Sequence, residues 1–336
     1  MQYGLSLAAR GSGFVSPNPM VGAVVVVGGR IIGEGWHEAF GGAHAEVNAL
    51  KAVRTEDLHL LPQATLFVTL EPCNHFGKTP PCTEKILTSG IKNVVIGTLD
   101  PNPLVAGKGV ERLKENDVHV TVGILENACR DLNKFFFCYH EKKRPFVTIK
   151  WAQSADGFIA SGDGSPVHFT NHESDILVHK MRAEHMSILV GGKTIISDNP
   201  QLTTRLWKGK NPIRIVLDTK NNLPEDVHVL NQSTPTIVFN FLEDKIINNI
   251  RYIKIEKENI PQQVLEHLYQ LNINSVLIEG GTKTIQTFLN AGLCDAIYYF
   301  ESEIKLGSGI AAPLATQQFE ASSIGPVNLF TWMPAG

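Results

Sequence analysis

The sequence predicts an α/β protein built as two domains, and three observations carry that expectation. The chain has 336 residues, more than one hydrophobic core usually serves. Short apolar, β-branched runs alternate with helix-like stretches in both halves, the pattern of largely parallel sheets covered by helices. Between Asn133 and Pro145 this alternation breaks at an aromatic cluster (Phe135, Phe136, Phe137, Tyr139) and the charged run Glu141-Lys142-Lys143-Arg144, so the domains are expected over 1–143 and 144–336.

In the first half, strands are expected over 21–27, stopped by Gly28-Gly29, over 64–70, and over 93–97. Helices are expected over 45–53 and 83–89, the second closed by Gly90. In the second half, strands are expected over 146–149, 187–190, 213–217, 236–239, 275–278 and 296–300, with helices over 171–184, 261–271 and 284–291.

Composition narrows the class. With 43% hydrophobic and 19% charged residues and a net charge of -3, the chain reads as a soluble globular protein and not a disordered one. Basic residues are scattered, and the Lys142-Lys143-Arg144 cluster reads as a solvated linker, which argues against a nucleic-acid surface. No secretory leader and no membrane-length apolar run is evident. Of five cysteines, two belong to the motif below; Cys129, Cys138 and Cys294 form no disulfide framework, which points to a reducing cytoplasm.

The chemistry is concentrated in His44-Ala45-Glu46 and in the run from Pro72-Cys73 to Pro81-Cys82. One imidazole and two thiolates suit zinc, and three protein ligands leave a fourth tetrahedral position open, as in catalytic sites. A metal so held can bring the pKa of water to about 7. Glu46, two residues beyond the imidazole, is placed to move that water's proton. His44 and Glu46 fall at the start of one expected helix, and Cys82 leads into the next, so the positive ends of two helices favour anionic ligands there. Zinc nucleobase deaminases carry H-x-E followed by P-C-x-x-C. Here eight residues separate Cys73 from Cys82, adding a polar loop with Asn74, His75, Lys78 and Thr79 that reads as facing the substrate. A closed structural knot using His75 would gain nothing from Glu46.

Two nucleotide motifs are excluded. Gly191-Gly192-Lys193-Thr194 has Ser187 where a P-loop needs its first glycine, and no G-x-G-x-x-G stands between a strand and a helix. Glu279-Gly280-Gly281-Thr282-Lys283-Thr284, after an expected strand, offers glycines and unpaired N–H groups that suit a phosphate.

Several strings together resemble the bifunctional riboflavin-biosynthesis deaminase/reductase family. They are Pro17-Asn18-Pro19-Met20-Val21-Gly22, Gly35-Trp36-His37, Gly41 to Glu46, Pro72 to Cys82 and Asp100-Pro101-Asn102-Pro103, then Phe146 to Lys150, Ser154-Ala155-Asp156-Gly157, Ile188 to Gly191, Asp198 to Thr203 and Glu279-Gly280-Gly281. The resemblance implies a cytidine-deaminase-like α/β/α domain followed by a dihydrofolate-reductase-like α/β domain. It implies zinc on His44, Cys73 and Cys82, Glu46 as proton carrier, Asn18 on the pyrimidine, and His37, His75 and Lys78 toward the ribose phosphate. For the second half it implies NADPH against Ala152, His168, Thr194, Asp198, Thr219, Gly280, Gly281, Thr282, Lys283, Thr284 and Thr287. Lys150, Ser165, Arg182, Leu202, Arg205 and Glu279 would face the substrate, the arginines suiting a phosphate through their forked donors. Its substrates would be pyrimidine ribosylamino phosphates, deaminated and then reduced from ribosyl to ribityl, in a homo-oligomer, dimer or tetramer. The alternative is a deaminase whose second half only binds or oligomerises. Residues 319–332 depart from the family's closing strands.

Overall fold

A computed structural model describes residues 1–75, 80–103, 105–162 and 167–334. The chain divides into two compact units, Met1–Lys143 and Arg144–Gly336.

The first unit runs α1 (Gln2–Ala8), β1 (Gly22–Val27), β2 (Arg30–Trp36), α2 (Ala45–Lys51), β3 (Thr65–Leu70), α3 (Cys82–Ser89), β4 (Asn93–Thr98), α4 (Lys108–Lys114), β5 (His119–Val122), α5 (Glu126–Leu132) and α6 (Lys134–Lys142). Its sheet has the order β2-β1-β3-β4-β5. The strands β3, β4 and β5 are parallel, whereas β1 is antiparallel to both β2 and β3, so the sheet is mixed rather than mostly parallel. The cause is the Gly28-Gly29 pair: both residues have positive φ, +55° and +80°, which turns the chain straight back into a hairpin. Ala23, Val25, Leu66, Val68, Val94 and Ile96 from the sheet pack with Ala45, Ala49, Ile86 and Leu113 from the helices. The aromatic cluster near residue 135 lies on α6.

The second unit runs β6 (Phe146–Gln153), β7 (Phe158–Ser161), α7 (His172–Glu184), β8 (Ser187–Gly191), α8 (Gly192–Asp198), β9 (Ile213–Leu217), β10 (Thr236–Asn240), β11 (Lys245–Ile247), β12 (Ile250–Lys254), α9 (Ile260–Gln270), β13 (Ser275–Ile278), α10 (Thr282–Asn290), β14 (Ala296–Glu301), β15 (Gly309–Ala311), β16 (Glu320–Ile324) and β17 (Val327–Trp332). The main sheet has the order β11-β12-β10-β9-β8-β13-β6-β14-β17-β16. It is parallel from β12 through β14 and antiparallel at both margins. All six expected strands are present. Residues 319–332 form the β16–β17 hairpin, which pairs with β14. Arg144 is no solvated linker: its guanidinium forms a two-pronged ion pair with the buried Asp295, the Nη2–Oδ1 arm being 2.8 Å long. Among the described residues, no helix is long and apolar enough to cross a membrane.

Candidate active sites

In the first unit the site begins with two glycines. A Cβ on Gly33 or Gly35 would run into the backbone of Ala49, so their bare β2 surface lets α2 lie directly on the sheet. That contact places the start of α2: His44 is its extended N-cap residue and Glu46 sits in its first turn. From the sheet's interior, β3 delivers Cys73 three residues past its end, and Cys82 opens α3.

These elements bring His44, Cys73 and Cys82 together, with their metal-binding atoms all within 4.8 Å of one another. His44 Nδ1 lies 3.2 Å from Cys82 Sγ and 3.6 Å from Cys73 Sγ, and the Cys82 backbone N–H donates to Cys73 Sγ at 3.4 Å. Hydrogen bonds from the Cys82 thiol and from His44 hold Cys73 as a thiolate with a pKa of about 4. The same bond and burial push Cys82 up. Two adjacent sulfurs cannot both ionise without a cation between them, and coordination to zinc removes both protons. The donor set therefore fits zinc. Glu46 is 3% exposed, and burial, with the Cys73 charge added, raises its pKa.

Beside this cluster, His37 is buried, with its ring centroid 5.7 Å from that of His44. Its Nδ1 donates to the Ala43 carbonyl at 3.0 Å, so its Nε2 accepts from Asn18 Nδ2 at 3.2 Å. Both ring nitrogens of His37, the residue expected toward the ribose phosphate, are thus used within the protein. His75 is exposed, and Lys78 lies outside the described residues.

In the second unit the parallel strands β8 and β13 are neighbours; α8 follows β8 at once, and α10 follows β13 after three residues. Their two N-termini stand side by side at the carboxyl ends of the strands, where open α/β sheets bind ligands. A Cβ on Gly191 would lie 2.5 Å from Thr284 Oγ1, and one on Gly281 3.0 Å from Thr194 Oγ1. Thr194, Gly280, Gly281 and Thr284 are thereby gathered around N–H groups that fit a cofactor phosphate. Other assigned positions are engaged elsewhere. Thr282 donates to the Ala311 carbonyl at 2.7 Å, Thr287 to that of Lys283 at 2.8 Å, and Asp198 accepts from Ser197 at 2.6 Å. Ala152 packs beside Val178 and Phe300, and the backbone carbonyl of Thr219 accepts from Phe241. His168 faces Asp175 at 3.4 Å with an exposed side chain, and Ser165 lies outside the described residues.

Arg182 and Glu279 form a buried two-pronged pair, Nε to Oε1 at 2.8 Å and Nη2 to Oε2 at 2.6 Å. Two donors of the guanidinium fork, Nε and Nη2, are thus taken by this carboxylate. Burial opposes the charge on Glu279, but Arg182 and Lys150 outweigh it and hold the carboxyl at about 2. Burial lowers the pKa of Lys150, against the pull of Glu279. The Leu202 side chain is 3% exposed and packs with Ile188, Val190 and Val216, so only its backbone is left to face a substrate. Arg205 is exposed, its Nη1 donating to Gln201 Oε1 and Thr203 Oγ1 at 3.0 Å each.

Residues 1–98 match the cytidine and deoxycytidylate deaminase zinc-binding region, and residues 145–329 match the RibD C-terminal domain. The riboflavin biosynthesis protein RibD of Aquifex aeolicus is 43% identical over 317 residues, covering 93% of this chain and 88% of that protein. The chain belongs to the RibD family. RibD of Bacillus amyloliquefaciens is 39% identical, with 98% of this chain and 91% of the relative covered. The crystal structure of a diaminohydroxyphosphoribosylaminopyrimidine deaminase/5-amino-6-(5-phosphoribosylamino)uracil reductase from Thermotoga maritima superposes with a TM-score of 0.90 at 40% identity, over 100% of this chain and 97% of that one. Acinetobacter baumannii RibD, form 1, gives 0.89 at 32% identity, over 100% and 98%. As a RibD protein, the chain is a bifunctional enzyme of riboflavin biosynthesis, a zinc-dependent deaminase joined to an NADPH-dependent reductase.

Two residues of this RibD chain escape a reading of the sequence. Glu71, 4% exposed, accepts hydrogen bonds from four backbone N–H groups: Asp100 at 3.2 Å and Gly107 at 3.0 Å on Oε2, Gly109 at 2.9 Å and Val110 at 3.2 Å on Oε1. It ties the Cys73 segment to the start of α4. Asn133 pairs with both backbone groups of Met20, accepting from its N–H at 2.7 Å and donating to its carbonyl at 2.9 Å, and so holds the segment that carries Asn18. The only local signal is a polar residue in an apolar setting.

Proposed function

We propose that residues 1–143 deaminate a diaminopyrimidinone bearing a ribosylamino phosphate and that residues 144–336 then reduce its ribosyl group to ribityl. The meeting of His44, Cys73 and Cys82 around one point, with a buried carboxyl two residues from the imidazole, carries this reading. Zinc, when bound by those three side chains, supplies Lewis acidity at neutral pH. Glu46, as the carboxylate, takes a proton from the attacking water and passes it to the leaving amine, a role suited to a group that burial makes a stronger base by raising its pKa. Asn18, its amide nitrogen directed at His37, keeps Oδ1 for a donor on the pyrimidine edge. His75 and Lys78 are assigned to the phosphate end.

In the reductase, NADPH supplies the reducing equivalents when its phosphate rests against Thr194, Gly280, Gly281 and Thr284. Lys150 neutralises charge at the sugar while Glu279, held by Arg182, orients it. Arg205, anchored by neutral oxygens, binds the sugar phosphate. A small molecule, not a polynucleotide, is the substrate, in keeping with scattered basic residues. The cysteine usage, with Cys73 and Cys82 gathered at the metal site, fits a reducing cytoplasm. Assembly as a homo-oligomer belongs to the same reading, supported by exposed Val122, Ile124 and Leu125 beside the edge strand β5, and sedimentation tests it.

An assay that follows ammonia release and NADPH oxidation on one zinc-quantified sample tests both halves. Ammonia release should follow zinc content, and NADPH should be consumed once deaminated product has formed. Absence of NADPH oxidation with that product would leave a deaminase carrying a binding or oligomerisation module.

A further inference from the structure

Between α8 and β9 the chain from residue 199 to residue 212 forms no helix or strand, yet its backbone is fixed by side chains from several directions. The His228 backbone N–H donates to Asn199 Oδ1, and its ring Nδ1 to the Asn199 carbonyl, both at 2.7 Å. Arg182 Nη1 donates to the Thr203 carbonyl at 3.4 Å, and the Arg205 N–H donates to His179 Nδ1 at 2.9 Å. At the centre stands Arg214 of β9, only 1% exposed. Its guanidinium makes four hydrogen bonds, all to neutral oxygens: Nε and Nη2 to the Gln201 carbonyl at 3.1 and 2.9 Å, Nη1 to the His228 carbonyl at 3.1 Å and to Asn231 Oδ1 at 2.9 Å. Leu202, the next residue after Gln201, has a φ of +55°, a left-handed conformation that persists only where the surroundings enforce it. The Gln201 side chain is exposed, and its Oε1 holds Arg205 Nη1.

Burying a guanidinium is costly, and an apolar side chain would fill the same space without that cost. What the charge adds is a two-donor grip on one carbonyl, that of the residue whose side chain aims Arg205. Because neutral oxygens do the aiming, the Arg205 charge is not cancelled before a phosphate arrives. We infer that Arg214 is a positioning residue of the reductase, acting through Gln201 to direct the Arg205 guanidinium at the sugar phosphate. The inference rests on the reading of Arg205 as the phosphate-binding residue.

The test uses the zinc-loaded full-length enzyme and follows NADPH oxidation against the concentration of deaminated substrate in Arg205→Ala, Gln201→Ala, Arg214→Met and Arg214→Lys. Arg205→Ala should raise the substrate KM about tenfold or more, the loss of a charge-assisted contact. Gln201→Ala and Arg214→Met should each raise it by about fivefold, with the KM for NADPH and the ammonia-releasing activity of the same chain unchanged. Arg214→Lys, keeping one cationic donor, should fall between wild type and Arg214→Met. Adding Arg214→Met to Arg205→Ala should raise KM no further, because both act through one contact. An unmoved substrate KM in Gln201→Ala would overturn the inference, as would an Arg214→Met enzyme that loses thermal stability and kcat while KM stays put. Should Arg214→Met fail to fold, Arg214→Lys decides, and a substrate KM unmoved from wild type in that variant would overturn the inference. An unmoved KM in Arg205→Ala would instead overturn the underlying reading of the phosphate site.

Discussion

Asn18 and His37 orient each other in the deaminase unit: the Asn18 amide nitrogen donates to His37 Nε2 at 3.2 Å, because His37 Nδ1 is committed to the Ala43 carbonyl at 3.0 Å. One backbone oxygen thus sets the tautomer of the ring, and the ring sets which way the carboxamide faces.

Replacing His37 should therefore disturb recognition before it disturbs the metal. For His37→Leu the expected outcome is a deaminase KM raised about fivefold, the worth of one hydrogen bond of about 1 kcal/mol. Zinc content, measured on the same sample, should be that of wild type. An unchanged KM would separate Asn18 from the substrate.

Glu71 supports the metal ligands from behind, since its four backbone donors span the turn into α4. Glu71→Gln places an amide N–H₂ against N–H donors, leaving some of them unsatisfied. The deaminase unit should lose about 2–3 kcal/mol of stability in urea unfolding. Gly109→Ala attacks the same junction from the other side, because a Cβ there would collide with the Pro72 carbonyl. Both variants should lower ammonia release and leave NADPH oxidation with deaminated substrate near wild type.

The Glu279 carboxyl gives the reductase a defined acid limit. Burial alone would raise its pKa, but Arg182 and Lys150 bring it from an ordinary 4.5 to about 2. The folded state therefore favours the carboxylate more strongly than the unfolded chain does. That stabilisation is fully present above pH 4.5 and is lost as the pH falls toward 2; it amounts to about 3 kcal/mol. Urea unfolding of the wild type and of Glu279→Gln across this window is the check. The wild type should show the extra loss with acid, and Glu279→Gln, already weakened by an unpaired buried Arg182, should lack it.

The parts of this fold legible in the sequence are those whose cause is local. The six central strands of the reductase sheet are largely buried on both faces, so they read as apolar runs, broken in β9 by Arg214. β2 does not read as a strand because Gly33 and Gly35 dilute its pattern, and those same glycines admit α2 and place His44 and Glu46. The zinc cluster is legible because few residue types bind that metal. The partners that fix the sites are not: Glu71 reaches Gly109 across 38 residues, Asn133 reaches Met20 across 113, and Arg144 reaches Asp295 across 151. Arg182 likewise meets Glu279 across 97 residues, a pairing that nothing in its neighbourhood announces.

The central claim is that a buried carboxyl moves the protons at a His44, Cys73 and Cys82 metal centre, and Glu46→Gln tests it most directly. Zinc per chain and ammonia release should be measured together on the wild type and the variant. Zinc should be retained at the wild-type ratio while ammonia release falls by about a hundredfold or more. A variant that holds its zinc and still releases ammonia at close to the wild-type rate would contradict the account.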